Sequence, residues 1–255
     1  MTNIVALVKM VPDLVEELEI NNEGTGLDRD WLRLIINEFD NHAIEQAILL
    51  KERDGGEVTV IAPEAEGVDD MLFTTAAKGV DHMIKLAGDW EEGVNNHALA
   101  RAFAKTAKVY QPDLVLTGVQ ANDDLDGPVG PLIAEYLGMP YVGYISGVTI
   151  EGDHAIARKE YPGGMIAVME IKLPAVLGIQ AGEEPPRYVA ISKVRQMMKT
   201  AKIEEVDILE LDPSGGIIPK RMYLPETAGR AEMIEGDEDE IAAKLVEIFK
   251  EVGAL

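Results

Sequence analysis

Between Gly118 and Pro131 the chain reads GVQANDDLDGPVGP, directly after the apolar run PDLVLT. Three glycines permit tight turns, and Gln120, Asn122, Asp123 and Asp124 bring several hydrogen-bonding groups into a few residues. A strand that turns through such a segment into a helix aims free N–H groups at an anion. Two descriptions fit. One is a nucleotide cradle; the other is a surface strand-to-helix loop in which Asp126-Gly127-Pro128 starts the helix. The segment matches neither the lysine-bearing phosphate loop nor GxGxxG. Two other expected strand ends share its position, the turns Lys9 to Pro12 and Pro63 to Gly67. Asn37-Glu38-Phe39-Asp40 precedes a helix from Asn41, where Asp40 is placed to cap the helix and Phe39 to staple it.

Other chemistries find less support. The four histidines are scattered, none at metal-ligand spacing, and GxSxG, HExxH and EF-hand patterns are absent. Cysteine is absent, which excludes disulfides, thiol nucleophiles and thiolate metal sites on this chain. Glu204-Glu205 and Asp237 to Glu240 read as solvated faces. A net charge of −23 and 5% aromatic residues argue against nucleic acid and anionic membrane surfaces as partners. No apolar run approaches the ~18 residues of a membrane span. The opening MTNIVALVKMVPD is too soon interrupted for a signal peptide, so a cytoplasmic protein is expected.

The elements that must position these residues follow from periodicity. Ile4 to Val8, Val58 to Ala62, His82 to Leu86 and Leu114 to Thr117 are short apolar runs, the pattern of buried strands. Asp40 to Glu52, Val68 to Ala77, His97 to Val109 and Pro128 to Leu137 carry helical spacing between and after them. That alternation predicts a mostly parallel, doubly wound α/β sheet of the adenine-nucleotide-binding type. From Val142 to Ile179 four β-type runs, the last Ala175 to Ile179, are separated by turns only, which predicts an antiparallel extension at one edge. Ile191 to Ala201 reads as a helix. Glu204 to Tyr223 has no period and is expected to be an arm on a partner surface, followed by an amphipathic helix from Asp237 to Val252. The expected organisation is an α/β domain over 1–185 with its extension from about 141, a recognition segment over 186–203, and a C-terminal arm and helix over 204–255.

Several segments together resemble the beta subunit of electron transfer flavoproteins. They are VALVKMVPD, INEFDNHAIEQAILLKE, FTTAAKGVDHMI, PDLVLTGVQANDDLDGPVGPLIAEYLGMP, LPAVLGI and EPPRY, in that order. The likeness covers residues up to about 203 well and the tail loosely. It implies pairing with an alpha subunit that carries the electron-transferring FAD, with the C-terminal arm embracing that subunit. It also implies an adenine-nucleotide site in this chain, holding AMP in ordinary members and a second FAD in electron-bifurcating ones. By the resemblance the nucleotide lies against Leu7, Asn37, Glu38, Phe39, Asp40 and Pro63. It lies also against Gln120, Ala121, Asn122, Asp123, Asp124, Leu125, Asp126, Gly127, Pro128, Val129, Gly130 and Pro131. Ile191 aligns with the apolar anchor that docks an acyl-CoA dehydrogenase or a similar flavoenzyme.

The loop departs from the family pattern. Asp124, Leu125, Asp126 and Pro128 stand where Gly, Asp, Thr and Gln are usual. Asp126 replaces a hydroxyl donor by a carboxylate, and Pro128 removes an N–H. The expected function is an electron carrier subunit without an acid or base of its own, with AMP favoured over a second FAD because AMP needs one anion site. A nucleotide-binding module outside redox chemistry is the contrasting class. An ATP-using enzyme would call for Lys or Ser in a loop that offers acidic and apolar side chains.

Overall fold

The computed structural model describes residues 2–90, 94–125, 127–225, 231 and 233–254. The chain forms two units, Met1–Arg221 and Met222–Leu255. The first contains β1 (Thr2–Leu7), β2 (Met10–Pro12), β3 (Leu34–Ile36), α1 (Glu38–Asp54), β4 (Gly56–Pro63), α2 (Val68–Lys78), β5 (His82–Ala87) and α3 (Asn96–Ala107). It continues with β6 (Leu114–Gly118), α4 (Val129–Leu137), β7 (Tyr141–Glu151), β8 (His154–Tyr161), β9 (Met165–Lys172), β10 (Ala175–Ile179), α5 (Ile191–Thr200) and β11 (Ile203–Asp207). The second contains α6 (Glu238–Glu251), opened by a capping box between Asp237 and Glu240.

Nine strands make one sheet in the order β11-β5-β4-β1-β6-β10-β7-β8-β9. From β11 to β7 every neighbouring pair is parallel, and β8 and β9 complete the sheet in antiparallel register. This is the α/β sheet with an antiparallel extension that the alternating pattern predicts. Strand parity divides the core. Ile4 and Ala6 of β1 and Leu114 and Leu116 of β6 meet Ile44, Ile48 and Leu72 from α1 and α2 on one face. Val5, Leu7 and Val115 meet Leu99, Phe103 and Ile133 from α3 and α4 on the other. Each strand is buried on both sides, which is why these runs are apolar without alternation.

Two expectations need correction. Ala175–Ile179 does not continue the meander: β10 returns into the sheet and lies parallel between β6 and β7. All five of its residues are buried, whereas β8 and β9 at the edge are mixed. Nor does the arm begin at Glu204. Residues Ile203–Asp207 form the edge strand β11 on β5, and Val206, Ile208 and Leu211 pack against the second core cluster. Between them Leu209 is exposed, and beyond them so are Ile217, Ile218, Tyr223 and Leu224. Between β2 and β3 an isolated antiparallel bridge joins Ile20 to Leu27.

Candidate functional site

From β1 the chain winds out to β4 and β5, then crosses back to place β6 on the other flank of β1. Open α/β sheets hold ligands outside the carboxyl ends of the strands at such a reversal. A cleft lies there. It is bounded by Leu7 at the end of β1 and Val8 and Lys9 after it, Thr117 and Gly118 at the end of β6, and Asn37 and Asp40 of the α1 start. Gln120, Ala121 and Asp124 of the following loop close it, over Leu99, Phe103, Val129 and Ile133. Its free volume is about 20 Å³, room for a single water.

Asp40 ties the two strand ends together. Its Oδ2 accepts from the Lys9 N–H at 2.9 Å and its Oδ1 from the Gly118 N–H at 2.8 Å. Asp40 therefore does not cap α1. The helix begins at Glu38, three residues before Asn41, and among the described residues no side chain caps it. Phe39 consequently lies in the first turn rather than ahead of it as a staple. Burial pushes the Asp40 carboxyl up to about 7, against the backbone N–H groups of Lys9 and Gly118, the Lys9 charge and the Asn37 side chain, all of which favour the charged form. Gly118 leaves no space for a side chain. A Cβ there would meet Asp40 Oδ1, and would lie 2.8 Å from both the Asp40 nitrogen and Phe39 Cβ.

Lys9 reaches across the cleft mouth to the loop. Its Nζ lies 2.7 Å from Asp123 Oδ1 and 2.8 Å from Asp124 Oδ1. Burial works to lower its pKa, but the charges of Asp123 and Asp124 and their hydrogen bonds outweigh it and hold the ammonium above its ordinary value. Asp124 gathers further donors: Asn96 Nδ2 at 2.9 Å on Oδ1, and the Ala121 N–H at 2.8 Å on Oδ2. Asn96 also donates to Gly127 O at 2.6 Å, Asn37 Nδ2 to Gln120 O at 2.9 Å, and Asn122 Nδ2 to Pro12 O at 3.0 Å. The loop is thus fastened to three separate elements by side chains.

One group in the cleft stays unmatched. Thr117 Oγ1 is the buried side-chain polar atom without a partner among the described residues. Thr117 is 3% exposed, and its hydroxyl faces the first turn of α4, 2.9 Å from where a Cβ on Gly130 would stand. Among the described residues no side chain caps α4. An orphan hydroxyl, a lysine, two asparagines and an uncapped helix start form a donor-rich set, the chemistry that suits an anionic, hydrogen-bonding ligand.

Of the residues singled out from the sequence, Leu7, Asn37, Asp40, Gln120, Ala121, Asp124 and Val129 line the cleft. Pro63 is buried at the end of β4, and Glu38 is exposed. Phe39 is half-buried beside Gly118. Asn122, Asp123, Leu125, Gly127, Pro128, Gly130 and Pro131 belong to the loop and the start of α4 but not to the cleft wall. Asp126 lies outside the described residues. Ile191 is the first residue of α5 and exposed. Lys9 was marked only as the start of the strand-end turn Lys9 to Pro12, and Asn96 and Thr117 were not singled out; the strand-end position of Thr117 was the signal that could have marked it. The histidines have local partners: His42 Nδ1 accepts from the Gly182 N–H, and His97 Nδ1 lies 2.9 Å from the Tyr136 hydroxyl. Among the described residues no cluster of acidic and histidine side chains could hold a metal ion, and no helix is long and apolar enough to cross a membrane.

Fold and cleft define a doubly wound α/β protein with a polar, donor-lined crevice where its strand order reverses. The family model for the electron transfer flavoprotein domain matches residues 27–211. The chain is 34% identical over 260 residues to the electron transfer flavoprotein subunit beta of Methylophilus methylotrophus, covering 97% of this chain and 98% of the relative. It is 33% identical over 256 residues to that of Clostridium acetobutylicum, with 98% of each chain covered. For Bacillus subtilis the figures are 27% over 254 residues and 97% of each. The chain belongs to the electron transfer flavoprotein beta subunit family.

Proposed function

We propose that this chain is one half of a heterodimeric electron carrier, with an alpha subunit that carries the electron-transferring FAD and with AMP in the cleft of this chain. It shuttles electrons in the cytoplasm between an acyl-CoA dehydrogenase-type flavoenzyme and a second redox partner. Family membership supports the carrier role. The observation that carries the nucleotide reading is the orphaned Thr117 hydroxyl in a cleft with Lys9, Asn37 and Asn96 around it.

The residues fit the polar part of a nucleotide. Thr117 and the uncapped start of α4 would supply donors, and Leu99, Phe103 and Ile133 an apolar floor. The free volume does not admit a nucleotide until the loop moves outward. The FAD of the alpha subunit supplies the electron chemistry when bound; this chain's residues bind, orient and exclude water. AMP is favoured over a second FAD because AMP needs only one anion site. The exposed Leu209, Ile217 and Ile218 would supply apolar side chains to the alpha subunit, as would Leu224 in the second unit by itself, and Ile191 the anchor for the dehydrogenase.

Denaturing extraction of the purified heterodimer tests the reading. One FAD and one AMP per heterodimer are expected. Two FAD and no AMP would overturn it in favour of an electron-bifurcating carrier, and a colourless homodimer would overturn the carrier role.

A further inference from the structure

Three donors converge on one carboxylate at the cleft mouth. Asp124 receives Lys9 Nζ at 2.8 Å, Asn96 Nδ2 at 2.9 Å and the Ala121 N–H at 2.8 Å. A flexible cation, a side-chain amide and a backbone amide are the donor types that clasp a phosphate oxygen. The Asp124 side chain is only 7% exposed, so these bonds are made out of reach of bulk water. Within the chain's overall charge of −23, Lys9 is the one cation among the described residues lining the cleft. The Thr117 hydroxyl, buried and unpartnered, lines the same space.

We propose that Lys9, Asn96 and the Ala121 N–H form a phosphate site that Asp124 occupies as an internal stand-in, and that a nucleotide phosphate binds by displacing it. The proposal rests on the reading of the cleft as a nucleotide site and deepens it. Asp123 makes the exchange feasible. It too lies on Lys9, at 2.7 Å, but its side chain is 36% exposed and it is not part of the cleft wall. When Asp124 swings out, Lys9 keeps one carboxylate and gains the phosphate. Asp124 gives up these bonds and moves into water-accessible surroundings, where an ionised carboxylate is well solvated. The small free volume follows from the same contact: the loop is drawn inward because its own anion fills the place of the ligand's. Asp124 therefore lowers affinity for phosphate-bearing ligands in particular, and leaves the nucleoside part of the ligand alone.

The test compares AMP with adenosine on the heterodimer freed of nucleotide, by calorimetry. Asp124→Ala should tighten AMP at least fivefold and change adenosine by less than twofold. Lys9→Met should bring AMP down to the affinity of adenosine. Hydrogen exchange on the wild-type heterodimer covers the case in which a variant does not fold. AMP should change protection across 119–125, and adenosine should not. Asp124→Ala weakening AMP, or tightening AMP and adenosine alike, overturns the proposal. So does AMP binding with no change of exchange in that loop. Binding of neither ligand to wild type or variant overturns the nucleotide reading and the proposal with it, a result distinct from binding of both without a phosphate-dependent difference.

Discussion

Lys9 and Lys85 stand at the carboxyl side of strands two places apart in the sheet, each with 11% of its side chain exposed and each between two carboxylates. Their surroundings differ. The partners of Lys85, Asp69 at 3.1 Å and Glu205 at 2.9 Å, are 55% and 62% exposed. Those of Lys9 are Asp123, 36% exposed, and Asp124, 7%. The Glu205 hydrogen bond is foremost in holding the Lys85 ammonium above its ordinary pKa, whereas at Lys9 burial is the largest influence and pulls the other way. Lys85 lines a wide hollow of about 280 Å³ with Glu64, Asp69 and Asp70, open to water on one side. The same ion triad is a surface ornament in one place and a closed latch in the other. Position relative to the reversal of strand order decides which.

The sharpest way to break that comparison is to remove each ammonium. Lys9→Met strands a buried Asp124 with two neutral donors, and should cost about 3 kcal/mol of stability. Lys85→Met removes a pair whose partners keep their water, and should cost about 1 kcal/mol or less. Urea unfolding of the heterodimer, followed through the half-buried Trp90, reads both. Equal losses would dissolve the distinction.

Asp40 comes next. Asp40→Ala leaves the buried N–H groups of Lys9 and Gly118 without acceptors, worth about 2–3 kcal/mol. The pH dependence has a definite sign. The folded carboxyl titrates near 7, above the ordinary value of 3.8, so the folded state binds the extra proton between them. Its contribution is fully present below about pH 4 and is lost as pH rises through about 7. Wild type should therefore lose about 1–3 kcal/mol relative to Asp40→Asn between pH 5.5 and 8.5. A gap that widens in wild type's favour with rising pH would mean that the carboxyl is not held up by burial.

Much of this frame was legible beforehand. α2, α4 and α5 fall within about a residue of their apolar periods, and β4 and β6 are the continuous runs expected of doubly buried strands. The insertion of β10 was missed because turn spacing was weighed above composition. AVLGI lacks any alternation, and that lack is the mark of a central parallel strand. β11 was hidden for the opposite reason: IEEVD lies at an edge, where acidic side chains reach water and one of them pairs with Lys85. Within the site, the loop could be found from its own residues. Its latch could not, since Lys9 and Asp124 are 115 residues apart and meet only through the topology. Asp40 looked like a cap because capping is local, while its actual partners come from two strand ends.

Glycines sharpen the contrast between a packed strand end and a free loop. Gly118→Ala drives a Cβ into the Asp40 carboxylate and the α1 backbone, both fixed, and should cost about 1–3 kcal/mol through overpacking. Gly127 has open space around it but a φ of 93°. Gly127→Ala should cost about 1 kcal/mol, through backbone strain alone. Thermal unfolding separates them when Asp40→Asn is added. The penalty at 118 should change with the acid it strikes, and that at 127 should not.

The smallest effect on stability is expected outside the cleft, at Ile191. The segment before it is bound along α1: the Gly182 N–H donates to His42 Nδ1, the Glu183 N–H to Gln46 Oε1, and the Arg187 N–H to Glu45 Oε2. The Arg187 guanidinium then bridges Glu45 at 2.7 Å and Glu52 at 2.6 Å, which raises its own pKa and lowers that of Glu52. α5 is therefore held from its base, and the Ile191 side chain, 63% exposed, adds little to that hold. Ile191→Ala should change stability by less than about 0.5 kcal/mol. As a docking anchor, the same side chain should carry more than about 1 kcal/mol of the contact with the dehydrogenase. Electron transfer at limiting dehydrogenase concentration should slow accordingly, with flavin and AMP content unchanged. An unaltered rate would remove Ile191 from the docking surface, and a comparable loss of stability would show that it belongs to the fold, as Lys9 does, rather than to the partner.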